Sequence, residues 1–262
     1  MLNEVSDPEF PRGSEAFCIA MGGAFLMLGL MLKPEDLFDL AQTDHHVLFQ
    51  DCEHAWEPLK SIKDYILTYP NPLGFRIAPA HGEAWIGDQV LIGEGTIVEP
   101  GAMIKGPAII GRRCQIRHSA YIRDNVIIGD DCVVGKSCEL KNSLLFNRCQ
   151  IPHFNYVGDS ILGFKAHLGA GVKISNFKLV PGNVRIHWNG EWVDTGLRKF
   201  GALVGDNTDV GCNTVLNPGS ILGRQSVVYP NINWRGILPA ASVAKNRAAI
   251  EIVARQSPKS AA

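Results

Sequence analysis

From Ile86 to Phe146, every sixth residue is a large apolar side chain: Ile86, Ile92, Val98, Ile104, Ile110, Ile116, Ile122, Ile128, Val134, Leu140 and Phe146. The rhythm returns at Val204, Val210, Leu216, Leu222 and Val228. Two positions before each early member stands a smaller residue, among them Ala84, Thr96, Ala102, Ala108, Cys114, Ala120, Cys132 and Cys138. An amphipathic helix repeats at i, i+3, i+4 and i+7, and a half-buried strand alternates, so neither fits. A six-residue period marks a parallel β-helix, in which short strands wind around a narrow apolar core. Three hexapeptides close one triangular coil, which stacks residues 18 apart at the inter-strand spacing of about 4.8 Å.

The pattern divides the chain into four parts. Residues 1–30 form a leader, 31–80 a helical N-terminal cap, 81–236 the β-helix with an insertion at 177–199, and 237–262 a helical C-terminal tail. In the cap, Pro34-Glu35-Asp36 predicts a helix to about Gln42, with proline and acids in its first turn. Trp56, Leu59, Ile62, Tyr65 and Ile66 predict a second helix over about 55–68. Both are expected to close the open end of the first coil, where core and strand edges would otherwise meet water. At Ile151 the register slips by one, passing through Val157, Leu162, Leu168 and Ile174, and the slip coincides with IPHFNYVGD. Irregularity in a strict repeat is where function is expected. Within the insertion, VRIHWNGEWVD alternates around Asn189-Gly190 and predicts a β-hairpin. The alanine-rich stretch 240–255 predicts a helix.

Residues 16–33 hold an apolar run similar to a signal-peptide core, but Arg12 is the one basic residue before it and no clean cleavage site follows. SDPEFPRGS ahead of it reads as a linker. An over-extended start is therefore expected in preference to a membrane segment. A formal net charge of −1 in 262 residues gives no electrostatic footprint for nucleic acid or an anionic membrane. Of the seven cysteines, Cys114, Cys132 and Cys138 occupy the small slot of the repeat, with Cys149 two before Ile151. Buried, reduced thiols of this kind imply a cytoplasmic protein.

Arg123 and Lys141 stand 18 apart and so stack on one face. Adjacent cations need an anion or a carboxylate between them, and a phosphate suits both. His153, Tyr156 and Asp159 follow on neighbouring faces. Taken singly, each reads as ordinary solvated charge; together they mark a candidate site.

The segment KNSLLFNRCQIPHFNYVGDSILGFKAHLGAGVKISNFK, with Arg123 upstream and its H-x-x-Y-x-G-D core, resembles the acetyltransferase half of the bifunctional N-acetylglucosamine-1-phosphate uridylyltransferase/glucosamine-1-phosphate acetyltransferases. TGLRKFGALVGDNTDVGCNTVLNPGSILG is similar to the archaeal-type bifunctional sugar-1-phosphate enzymes, and the likeness spans about residues 84–235. The resemblance implies a left-handed β-helix, a homotrimer with sites between subunits, and acetyl-CoA as donor. It implies a general-base role for His153, phosphate binding by Arg123 and Lys141, a place beside the sugar for Tyr156, and a polar contact from Asn176. Lys199 matches a lysine reaching into a neighbour's site, and Cys212 matches a serine near the donor. Ala170, Gly171 and Gly211 are implied to line the acetyl-CoA groove. Two departures stand out. His167 replaces an asparagine that contacts the amino sugar, either as a substituted contact or as a second acid/base. No L-x-x-G-x-G-x-R-type loop is present, and the residues before 81 are too few for a nucleotidyltransferase domain.

The expected function is thus acetyl-CoA-dependent N-acetylation of an amino-sugar 1-phosphate, without a metal. Other readings stay open: an O-acetyltransferase or lipid A-type acyltransferase, a non-catalytic sugar-nucleotide-binding or scaffold homologue, and a zinc hydratase on the same solenoid. The last needs three converging histidines. His81 and His118 lie far apart, and position 123 is arginine.

Overall fold

The computed structural model describes residues 32–71 and 83–246. The expected leader, His81 and the expected helix beyond residue 246 lie outside the described residues. The repeat builds three parallel sheets of eight strands each, wound as a left-handed β-solenoid of about nine turns. Ile92, Ile110, Ile128, Leu145, Leu162, Val204, Leu222 and Leu238 form the inward ladder of face A. Ile86, Ile104, Ile122, Leu140, Val157, Ile174, Leu216 and Trp234 form that of face B. Face C runs from Val98 through Ile116, Val134, Ile151, Leu168, Val210 and Val228 to Ala244. The small slot supplies Ala102, Ala108, Cys114, Ala120, Cys132, Cys138 and Cys149 to the same core. Many corners carry a non-glycine residue in the left-handed region, often Asn or Asp (Asn125, Asp131, Asn142, Asp159, Asn207, Asn213), types that tolerate it.

Every change in step length falls at one corner, between faces B and A. The inward ladder steps by five from Leu140 to Leu145 and again from Val157 to Leu162, by thirty from Ile174 to Val204, and by four from Trp234 to Leu238. At both five-residue corners a buried serine fills the small slot. Ser143 Oγ donates to Lys141 O at 2.8 Å, and Ser160 Oγ to Gly158 O at 2.8 Å. The first slip therefore comes one strand earlier than the expected Ile151. It corrects the place of Phe146, which turns out of the solenoid and packs between Phe38 and Phe49 at 5.1 and 5.6 Å.

Phe146 belongs to a second core, on the outer surface of face A. There the outward positions Ile109, Ile127, Leu144, Ile161, Leu203 and Ile221 are buried and apolar. Their counterparts on face B include Glu139 and Lys173, and those on face C include Gln115 and Asp209. The N-terminal segment lies along this apolar flank, with Leu37, Phe38, Trp56 and Ile62 fully buried against it. The expectation that it closes the first coil is corrected: face A runs the length of the solenoid and offers more apolar area than one coil end. Asp206 fastens the layer, accepting Asp39 N at 2.6 Å and Phe164 N at 2.7 Å, while its own amide donates to Leu37 O.

The helices are shorter than expected. Pro34–Leu37 is α-helical and Leu40–Gln42 a 3₁₀ turn, split where Asp39 N is drawn to Asp206. Glu57–Lys60 and Ile62–Thr68 break at Ser61, and His46–Phe49 adds a turn that no periodicity announced. Arg185–Trp188 pairs antiparallel with Glu191–Asp194, and Asn189 and Gly190 both have positive φ, as the tight hairpin turn requires. An antiparallel bridge between Phe177 and Lys199 closes the base of the insertion. At the other end, Ile237–Leu238 and Val243–Ala244 are two further solenoid strands, which corrects the start of the helical tail.

His45 lies beneath this layer, its Nδ1 2.9 Å from the Tyr65 hydroxyl. Burial pulls its pKa down from 6.5 to about 4. The unfolded ring takes its proton near pH 6.5 and the folded ring only near 4, so stability is complete above 6.5 and falls as the pH drops through that window. The loss reaches about 3 kcal/mol by pH 4. Urea unfolding of the chain at pH 7, 6, 5 and 4.5 is expected to trace this decline, and His45→Gln is expected to flatten it.

Candidate functional site

Arg123 and Lys141 directly follow Ile122 and Leu140, which are ladder partners on face B, so the two cations are neighbours at the end of that face. Neither faces open solvent alone. Arg123 Nη1 donates to Glu139 Oε1 at 2.8 Å, and Lys141 Nζ lies 3.6 Å from Asp159 Oδ1. The Glu139 carboxylate beside Arg123 holds the guanidinium pKa above its ordinary value. Asp159 is 4% exposed and gathers the corner around itself, accepting Asn142 Nδ2 at 2.9 Å on one oxygen and Asn176 Nδ2 on the other. Tyr156 lies between Glu139 and Lys173 on the ladder and reaches Asn176 with its hydroxyl. Burial, then the nearby Glu139 charge, raises the Tyr156 pKa. Gly158 makes this possible: a Cβ there would stand 2.6 Å from Asn176 Nδ2 and 2.7 Å from the Tyr156 hydroxyl. Lys141, Asn142, Asn176 and Tyr156 thus share one polar network around Asp159, and the Arg123–Glu139 pair stands beside it, its charges felt by Tyr156.

His153 sits at the opposite end of the face-B strands, at the corner arriving from face C. Its segment presses on the coil below so closely that a Cβ on Gly135 would fall 1.5 Å from Pro152 O. Buried Asn155 holds the turn, accepting His153 N at 3.2 Å and donating to Gly169 O at 2.7 Å. Gly171 N donates to His153 O, Asn213 N to Ala170 O and Asn231 N to Cys212 O, so His153, Ala170, Gly171, Gly211 and Cys212 line one corner in successive coils. The His153 side chain is exposed beside Phe154, with ring centroids 6.5 Å apart. Between this corner and the cations runs the strand Tyr156–Gly158, whose three residues span about 10 Å.

His167 and Lys199 stand apart from the network. His167 is on face C, between Gln150 and Asp209, with Nδ1 3.3 Å from Asp209 Oδ1. Lys199 is exposed at the base of the insertion. His118 Nδ1 lies 2.7 Å from Pro100 O, and among the described residues no three His, Cys, Asp or Glu side chains gather as metal ligands. Also among the described residues, no helix is long and apolar enough to cross a membrane.

Glu139, Asn142 and Asp209 were not found by reading the sequence. Glu139 becomes visible once the five-residue step is known, because it then stacks directly on Tyr156. Asp209 is 42 residues beyond its ladder partner His167, a spacing that the insertion hides.

Residues 104–191 match the family model described as the GMPPB C-terminal domain. The bifunctional sugar-1-phosphate nucleotidylyltransferase/acetyltransferase of Sulfurisphaera tokodaii is 34% identical over 92 residues, which are 35% of this chain and 23% of that protein. The bifunctional protein GlmU of Methanococcus vannielii is 37% identical over 93 residues, 36% of this chain and 22% of that one. The chain thus matches less than a quarter of the length of either relative. Among solved structures, UDP-N-acetylglucosamine acyltransferase from Campylobacter jejuni is similar at 17% identity and a TM-score of 0.40, covering 64% of this chain and 72% of that one. Homologues of the bifunctional nucleotidylyltransferase/acetyltransferases therefore cover part of this solenoid.

Asp159→Ala leaves Asn142 and Asn176 without their shared acceptor and Lys141 without its counter-charge. These donors are only part-buried, so each one stranded costs at most about 1 kcal/mol, the low end of the penalty for a buried group. A lowered urea midpoint is expected, with Asp159→Asn recovering part of the loss.

Proposed function

We propose that the protein is an acetyl-CoA-dependent acyltransferase that N-acetylates an amino-sugar 1-phosphate across face B. The observation that carries this reading is the placement of Arg123 and Lys141 at one end of a strand and His153 at the other, with Tyr156 between. The span of about 10 Å suits a hexosamine phosphate lying along the strand. Its phosphate meets the exposed sides of the Arg123 guanidinium and Lys141 ammonium, where charge-assisted hydrogen bonds are strongest. Glu139 and Asp159 aim the two cations and balance their charge, so the phosphate binds by sharing their remaining N–H donors. Tyr156 and Asn176 supply the polar surface beneath the ring.

The amine is then left beside His153. As its nitrogen attacks the thioester carbonyl carbon, the His153 imidazole takes the amine proton, the carbon–sulfur bond breaks, and the imidazolium returns that proton to the departing thiolate, giving the amide and the free thiol. Acetyl-CoA is the co-substrate, with its acetyl end against the corner of Ala170, Gly171, Gly211 and Cys212, all stacked in register with His153. A homotrimer would bring Lys199 of one protomer to a neighbour's site, and the cytoplasm would supply both substrates. Similarity to part of the bifunctional sugar-1-phosphate enzymes supports the substrate class.

One observation favours a second assignment of the base. His167 has a carboxylate partner, Asp209, 3.3 Å from Nδ1, which would fix the tautomer that frees Nε2. Thiol release from acetyl-CoA with glucosamine 1-phosphate distinguishes the two. His153→Ala is expected to lower kcat by roughly 10²–10⁴-fold with the assembly unchanged, while His167→Asn keeps turnover. If the effects are reversed, His167 is the base; if wild type releases no thiol, the binding-protein reading replaces the enzyme. Lys141→Ala is expected to raise KM for the sugar phosphate far more than it lowers kcat.

A further inference from the structure

A second cleft lies where the inserted hairpin crosses the last coils, at the corner between faces B and A. It has a volume of about 280 Å³ and is lined by Arg185, His187, Trp192, Gly219, Arg235 and Gly236, with Ile186 and Pro218. The alternation of the hairpin explains its lining. Val184 and Ile186 point into the second core, so Arg185 and His187 point out. Trp192, the cross-strand partner of His187, stands beside them with 53% of its surface exposed. The Arg185 guanidinium is 5.4 Å from the Trp192 ring, and the His187 and Trp192 centroids are 5.0 Å apart. Two glycines in the left-handed region form the floor. Gly219 (φ +82°) lets the hairpin approach, since a Cβ would sit 2.8 Å from Val184 Cγ1. Gly236 (φ +96°) has nothing within 4 Å of where a Cβ would be, so the cleft stays open above it.

The electrostatics are one-sided. Among the described residues, neither Arg185 nor Arg235 has an ion-pair partner. Asp194 faces Arg185 across the hairpin and feels its charge, but its Oδ1 accepts Gly196 N at 2.8 Å and Asn183 also donates to it. Two guanidiniums without a direct salt bridge among the described residues, a histidine and a half-exposed indole around an open glycine floor combine a dianion clamp with a stacking platform. Planar guanidinium forks recognise phosphate oxygens in pairs, and an indole face stacks on any nucleobase.

We propose that this cleft binds a nucleoside phosphate, with the phosphates between Arg185 and Arg235 and the base on Trp192. Within the chain it is separate from the corner of Ala170, Gly171 and Cys212, at the other end of the face-B strands, so the proposal does not depend on acetyl transfer there. A nucleoside diphosphate bound here would place a nucleotide-recognising element on the same B-to-A corner as the proposed sugar-phosphate surface.

Titration of the full chain with UDP, GDP, ADP, ribose 5-phosphate and inorganic phosphate tests it, read by calorimetry and by tryptophan fluorescence against the Trp192→Phe variant. At least one nucleoside diphosphate is expected to bind roughly tenfold more tightly than either phosphate without a base, quenching Trp192. Arg235→Ala and Trp192→Ala are each expected to weaken it by about tenfold, with unchanged unfolding midpoints. Desulfo-CoA, which carries an adenosine diphosphate, is expected to bind no more tightly than ADP. Equal, weak binding of every anion, no binding at millimolar nucleotide, or desulfo-CoA binding far more tightly than every nucleoside diphosphate each overturns the proposal. The last result would assign the cleft to the acyl donor, while the first two leave the acetyltransferase reading untouched.

Discussion

Registered stacking governs this molecule. Each inward side chain must land on the residue one coil below, on a ladder whose strands are about 4.8 Å apart. A residue added or lost within a strand would turn the following side chains from core to solvent. The chain therefore confines its irregularities to one corner, between faces B and A, where two five-residue steps, the insertion and the final four-residue step all fall. Ser143 and Ser160 fill the short steps with a small buried side chain whose hydroxyl bonds the carbonyl two residues back.

That tolerance gives the corner its chemistry. Asn142 and Asp159 take the left-handed position of their corners, as Asn125 does in a full-length one, and Lys141, Asn142 and Asn176 gather around the single Asp159 carboxylate. The insertion leaves from the same corner and returns to cover face A. One feature of the winding thus shapes both a polar cluster and the apolar flank behind it. Corner C-to-B, by contrast, keeps its register. It repeats the same backbone arrangement coil after coil, which suits a groove for an extended ligand better than a pocket.

The two cores divide the labour. The inner core, of small slot and large ladder residues, fixes the solenoid. The outer core on face A anchors the N-terminal layer through Phe146, Phe38 and Phe49 and through the hydrogen bonds of Asp206. Faces B and C keep polar outward positions, including Glu139, Tyr156 and Lys173 on one and Gln150, His167 and Asp209 on the other.

The six-residue period by itself determined the solenoid, its ladder and the stacking of Arg123 on Lys141, because a strict repeat admits one way of burying its large residues. Asn189-Gly190 determined the hairpin, since few other dipeptides accept two positive φ values in sequence. The destination of the N-terminal segment was also written in the sequence, in the apolar residues preceding every third ladder position from Leu91 to Ile237, but it emerges only when the 18-residue coil is read as three distinct faces. Tertiary structure alone decided that Phe146 turns outward, that Glu139 and Asp159 hold the two cations, and that Asp209 meets His167. Those outcomes depend on where a coil loses or gains residues, and a shortened turn displaces every later neighbour without leaving a mark in local composition.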